Sequence, residues 1–182
     1  MEKPTHTQVM GITSGSSGVG KTTVSVNLAV ALHDMGYDVM LLDANSSASN
    51  AQMALGSKCP FSLADFISGS KSLQEIIHSR RYGIQLIDAA NDIAQMTQLN
   101  PEQASRALSQ FSALEERFDF LIIDLPPGTD PAVLSFMACT GRRLVVVRSG
   151  DKEGLANACY LLNSKKAKTL TIILHKALHV KK

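Results

Sequence analysis

Residues Gly15-Ser16-Ser17-Gly18-Val19-Gly20-Lys21-Thr22 have the spacing G-x-x-x-x-G-K-[ST] of a phosphate-binding loop. Glycine lets successive backbone N–H groups turn inward around an anion, and a helix starting at the loop adds the positive end of its dipole. Lys21 would reach the β- and γ-phosphates of a nucleotide, and the Thr22 hydroxyl would bind Mg2+. Thr23 follows in the first helical turn and is counted with the loop. The plainer reading is a Gly/Ser turn with an incidental lysine. A strand-like run before the loop and a helical pattern after it favour the phosphate site.

Such a loop needs an acid to hold the magnesium shell. Phe120-Leu121-Ile122-Ile123-Asp124 supplies one: four apolar residues make a buried strand, and Asp124 falls at its carboxyl end, where ligands bind in open α/β sheets. The turn Leu125–Asp130, stiffened by Pro126 and Pro127, would lie close enough to sense a γ-phosphate. A second run, Val39-Met40-Leu41-Leu42, also ends in an acid, Asp43, and continues Ala44-Asn45 into Ser46–Asn50. On spacing alone Asp43 is either a site acid or part of a helix-capping turn.

These groups meet only if the chain brings several strand ends to one edge. Strand-like apolar runs recur at Val9–Thr13, Tyr37–Asp43, Ile84–Asp88, Phe120–Asp124, Leu144–Arg148 and Thr169–Leu174. Most lack polar alternation, as in a parallel sheet covered on both faces. Between them, Thr22–Met35 places Val24, Leu28, Ala31 and Met35 on one helical face and stops at Gly36. Asn100-Pro101 reads as an N-cap with proline in the first turn, followed by Ala104, Ala107, Leu108, Phe111, Leu114 and Phe118. Shorter helices are expected near Asn50–Leu55, Ser62–Ile67, Ser72–Ser79 and Gly154–Asn163. The alternation predicts a three-layer α/β fold with a mostly parallel sheet, formed as one domain over residues 1–182.

Composition agrees with that class. Of 182 residues 45% are hydrophobic and 19% charged, which excludes disordered, collagen-like and disulfide-scaffold chains. Cys59, Cys139 and Cys159 are widely spaced with no C-x-x-C pair, and read as reduced packing residues of a cytoplasmic protein. The formal charge of +2 conceals an asymmetry: residues 1–153 carry −4, whereas 154–182 hold six lysines and no acid. That end reads first as solvated, with anionic membrane or nucleic acid as minor readings.

Ile12-Thr13-Ser14-Gly15, Gly18–Thr23, Asn27-Leu28-Ala29 and Leu41-Leu42-Asp43-Ala44 resemble the MinD/ParA family of P-loop ATPases. The likeness returns at Asp119–Asp130, Val133–Phe136 and Leu144–Val147, and within the family it is nearest the FlhG/FleN flagellar branch. The resemblance implies ATP and ADP with Mg2+ as ligands and Thr22, Asp43 and Asp124 as metal-shell residues. It also implies an ATP-dependent homodimer, slow hydrolysis stimulated by a partner, and a protein partner in flagellar or polar machinery. The chain departs from the pattern at two charges. The family's signature lysine, which crosses the dimer to the partner's nucleotide, is replaced by Ser16, with Ser17 after it. The acid that orients the attacking water is replaced by Asn45, whose amide lacks a carboxylate's charge and basicity.

The family usually continues past the region where this chain ends, so the domain is expected to be short at its carboxyl end, with a basic tail over residues 169–182. Thr169–Leu174 favours a last strand, because threonine and isoleucine suit strands. An amphipathic helix over Thr169–Lys182, lying peripherally on the inner face of a membrane, is the alternative. The leading expectation is therefore a Mg-ATP-binding regulatory ATPase. Its competitor is a non-hydrolysing relative that acts as an interaction protein. A small-molecule kinase or ligase would need an anion clamp, for which Arg80, Arg81, Arg142 and Arg143 are weak candidates. An iron–sulfur carrier would need the missing paired cysteines.

Overall fold

The computed structural model describes residues 3–45, 51–56, 59–79, 81–89, 92, 98–112, 117–163 and 170–175. Within them the chain runs β1 (Gln8–Ser14), α1 (Lys21–Asp34), β2 (Val39–Asp43), α2 (Ala51–Ala54), α3 (Leu63–Ser68) and β3 (His78–Ser79). It continues β4 (Gln85–Asp88), α4 (Pro101–Ser112), β5 (Phe120–Asp124), α5 (Pro131–Cys139), β6 (Arg142–Arg148), α6 (Lys152–Asn163) and β7 (Leu170–His175). The seven strands form one sheet in the order β3-β4-β2-β5-β1-β6-β7. All neighbours are parallel except the short edge strand β3, which runs antiparallel to β4.

Alternate residues along each strand face opposite sides, and both sides are covered, so the strands are apolar throughout. Ile12, Leu41, Leu86, Ile122 and Val146 face one layer, with Val26 and Ala29 of α1 and Leu55 after α2. Met40, Leu42, Ile87, Ile123, Val145 and Val147 face the other, against Leu63 and Phe66 of α3, Val133 and Met137 of α5, and Ala158 and Leu161 of α6. The helix ends follow local signals. Ser62 and Asp65 form a reciprocal capping box on α3. Asn100 Oδ1 accepts from the Gln103 N–H at 2.9 Å, and Gln103 Oε1 accepts from the Asn100 N–H at 3.1 Å. Gly36 takes φ +91, the left-handed conformation expected after α1.

Two expectations change, at residues 72–79 and on the buried face of α1, and the expected last strand is present. Residues 72–77 make turns, and His78–Ser79 is a strand. Glu75 accepts from the Ser72 N–H and hydroxyl, but edge pairing of His78 with Leu86 ends the turn before a helix can grow. The buried face of α1 is Lys21, Ser25, Val26 and Ala29, while Met35 is 51% exposed. Val24 and Leu28 lie at the flank of that face. The last segment is a strand over Leu170–His175, paired in parallel with β6 from Arg143 to Arg148. A helix cannot occupy those residues; Thr169 and residues 176–182 lie outside the described residues, as do Ser46–Asn50 and Arg80. Among the described residues no helix is long and apolar enough to cross a membrane.

Leu41 is fully buried in β2, near the middle of the sheet. Leu41→Ala should lower unfolding free energy by about 2–5 kcal/mol in urea denaturation, with the larger values expected where the layers cannot collapse on the cavity.

Candidate functional site

Parallel strands with helical crossovers put all their carboxyl ends on one edge of the sheet. There β1 ends at Ser14 and feeds the Gly15–Gly20 loop, which opens directly into α1 at Lys21. Asp124 on β5 is registered beside Ile12 of β1 and Asp43 of β2, and Asp43 beside Asp88 of β4. The two acids named from sequence are thus neighbours across adjacent strands.

Asp124 is fully buried and receives a fan of donors. The Thr22 hydroxyl donates to Oδ2 at 2.6 Å and the Ser25 hydroxyl to Oδ1 at 3.0 Å. Burial nonetheless raises its pKa above the ordinary carboxylate value, against the opposing pull of these hydroxyls, Lys21 and Asn45. Lys21 is buried as well, and loss of water lowers its pKa while the Asp124 charge holds it up. Asn45 Nδ2 donates to Thr22 Oγ1 at 3.2 Å, so the amide orients the hydroxyl that in turn faces Asp124. Asp43 accepts from the Ala51 N–H at 2.7 Å and the Asn45 N–H at 3.3 Å. Burial, then the neighbouring Asp124 charge, pushes its pKa up to about 7. Asp43 takes the capping role, since it accepts from the first residue of α2, and the same carboxylate lies beside Asp124 across adjacent strands.

The loop itself is held from two sides. Gly18 and Gly20 have φ +68 and +99, conformations that turn the backbone as an anion nest requires. The Gly128 N–H donates to Ser14 O at 2.8 Å and the Leu125 N–H to Ile12 O at 2.9 Å, seating the 125–130 turn against the loop's base. From the other side, Asn157 Nδ2 donates to Gly15 O at 3.0 Å. A Cβ on Gly15 would stand 1.9 Å from Gly154 O, so only glycine lets the loop lie on the start of α6. Ser16 donates its hydroxyl to Asp151, and Arg148 donates to Gly18 O. Ser17 and Thr23 are exposed, and Val19 is buried in the α1 layer.

Ser25, Arg148, Asp151, Gly154 and Asn157 were not foreseen as site residues. Ser25 had a legible signal, standing one helical turn beyond Lys21. Arg148 had a weaker one, as the end of a strand. The other three depend on α6 returning to the loop, which no local pattern announces. Of the arginines weighed as an anion clamp, Arg142 and Arg143 begin β6 at the opposite edge of the sheet, and Arg81 packs beside Gly56.

The donor set suits magnesium held mainly by water and phosphate. Thr22 Oγ1 and Asp124 Oδ2 are adjacent hard oxygens, and among the described residues no three His, Cys, Asp or Glu form a dedicated metal cage. The loop's left-handed glycines and buried Lys21 likewise fit a polyphosphate.

Residues 7–172 match a family model described as an AAA domain. The chain belongs to the MinD/ParA family of P-loop ATPases. It is 38% identical over 140 residues to the antiactivator FleN of Pseudomonas aeruginosa, covering 77% of this chain and 50% of FleN. The flagellum site-determining protein YlxH of Helicobacter pylori is 31% identical over 175 residues, covering 92% of this chain and 58% of YlxH. Among solved structures, the septum site-determining protein MinD of Pyrococcus horikoshii complexed with Mg-ADP superposes with a TM-score of 0.70 at 25% identity, covering 92% of this chain and 70% of that one. The chain spans about half the length of the curated relatives it matches.

Asn45→Asp would add a carboxylate beside Asp43 and Asp124 and remove the donor to Thr22. It should cost the metal-free protein about 1–3 kcal/mol in denaturant titration, and millimolar Mg2+ should recover more stability in the variant than in the parent chain.

Proposed function

We propose that this chain is a Mg-ATP-binding regulatory ATPase of the MinD/FleN type, with nucleotide state controlling dimerisation and the binding of a protein partner, and with slow hydrolysis. The observation that carries the reading is the convergence of Lys21, Thr22 and Asp124 at the mouth of a glycine loop. The names of its relatives, a flagellar antiactivator and a flagellum site-determining protein, support a role in flagellar regulation or cellular positioning. An intracellular setting suits that role, with the lysine-rich end as the place for any peripheral membrane contact.

In this reading the loop N–H groups and the α1 amino end hold the phosphates, and Lys21 supplies a cation inside a water-poor pocket. Bound Mg2+ would neutralise phosphate charge, with Thr22 and Asp124 as its protein ligands and Asp43 behind them. Two features slow turnover. Ser16 is neutral and already donates to Asp151, so no fixed positive charge stands at the second residue of the loop. Asn45 donates its amide nitrogen to Thr22, and its amide oxygen can accept a hydrogen bond from water but is too weak a base to take a proton.

The same Asn45 geometry favours a second reading, an interaction protein that holds nucleotide without hydrolysing it. Phosphate release separates the two: slow but Lys21-dependent release supports the ATPase, and release at the uncatalysed rate supports the interaction protein. Ser16→Lys combined with Asn45→Asp should raise release if the two lost charges limit it.

Calorimetry should show Mg-ATP and Mg-ADP binding to the parent chain and at least a tenfold loss in Lys21→Ala, about the size of a charge-assisted contact. Equal binding by both proteins, or binding by neither, contradicts the assignment.

A further inference from the structure

The last residue of β6 brings an arginine to the rim of the phosphate loop. Arg148 is exposed, and its guanidinium donates to the carbonyl oxygen of Gly18. Gly18 is exposed too, and a Cβ placed on it would lie 3.8 Å from Arg148 Nη2. The guanidinium therefore lies against the outer wall of the nest formed by Gly18 and Gly20. A guanidinium carries five N–H donors, so one carbonyl leaves most of them open. Water can replace it at Gly18, because that residue faces solvent.

Lys21 is otherwise the one cation named at the loop, where a polyphosphate carries several negative charges. Lys21 is buried at the inner side and shares the pocket with the Asp124 carboxylate. Ser16 contributes a neutral hydroxyl and is tied to Asp151, a carboxylate on the same rim. Asp151 takes the Gly154 N–H at 2.8 Å as well, and the Ser16 hydroxyl, then this N–H and last the Arg148 charge hold its pKa below the ordinary value. Asp151 is thus fixed by Ser16 and the α6 backbone, which leaves Arg148 as the movable member of the pair.

We propose that Arg148 is the second cation of the nucleotide site, turning from the Gly18 carbonyl onto the phosphate chain and supplying from its own subunit the positive charge that Ser16 lacks. This assignment rests on the nucleotide-binding reading of the Gly15–Thr22 loop. The ligand is a nucleoside di- or triphosphate. Recognition is by several N–H donors at once, which a planar guanidinium does better than an ammonium.

The test is equilibrium binding of Mg-ADP and of a nonhydrolysable Mg-ATP analogue across a range of salt concentrations, using the full chain and Arg148→Ala, Arg148→Gln and Arg148→Lys, with Lys21→Ala alongside. Arg148→Gln keeps a donor for the Gly18 carbonyl but no charge. If Arg148 acts as a cation, Arg148→Ala and Arg148→Gln both lose about tenfold or more in affinity for the triphosphate. Both also show a flatter salt dependence, while Arg148→Lys keeps the parental salt dependence and recovers part of the affinity. If Arg148 only props the loop, Arg148→Gln binds with parental affinity and salt slope, and the proposal is overturned. Loss of binding in Lys21→Ala alone overturns the Arg148 assignment and leaves the nucleotide site standing. No binding by the parent chain, or none lost in Lys21→Ala, overturns both.

Discussion

A carboxylate buried at the end of a central strand must be met by donors, and most of the site's geometry follows from meeting Asp124. Its partners come from the helix that follows the loop, Thr22 and Ser25, and from the segment after β2, where the Asn45 side chain bonds both Asp124 and Thr22. Satisfying it fixes the rotation of α1 about its own axis. That is why the helix turns Lys21, Ser25 and Ala29 inward and leaves Met35 in solvent. A purely hydrophobic α1 would choose Val24, Leu28 and Ala31 instead. The functional requirement and the fold requirement are here the same hydrogen bonds.

The parallel sheet, the loop and both acids were legible because each has a local signature: unbroken apolar runs, a fixed glycine spacing, and acids at strand ends. The tail was legible as a strand from Thr171, Ile172 and Ile173. What escaped has a common physical cause. The inward face of α1 is set by Asp124, which lies about a hundred residues away in sequence, a separation the structure gives as 102 for Thr22 and 99 for Ser25. The Asp151, Gly154 and Asn157 contacts depend on α6 packing on the loop, at separations of 135 and 142 for Ser16 and Gly15. The 72–77 turn failed to become a helix because β4 offered His78 an edge to pair with. Local pattern identifies the parts; only the sheet order decides which of them touch.

The contact between α6 and the loop also bears on what the site can signal. A Cβ on Gly15 would run into the Gly154 backbone, and one on Gly154 into the Asp151 and Ser16 side chains, so the loop lies directly on the start of α6. That helix exposes Leu155 and Tyr160 to solvent at 48% and 58%.

The central claim is a site built to hold Mg-ATP but short of the charges that break it down quickly. The most direct measurement is to load the protein with Mg-ATP, remove free nucleotide, and identify what remains bound by chromatography over several hours. The account predicts protein-bound nucleotide recovered mainly as ATP at early times, converting slowly to ADP. Complete conversion within the first sampling, or a protein that retains no nucleotide, would contradict it.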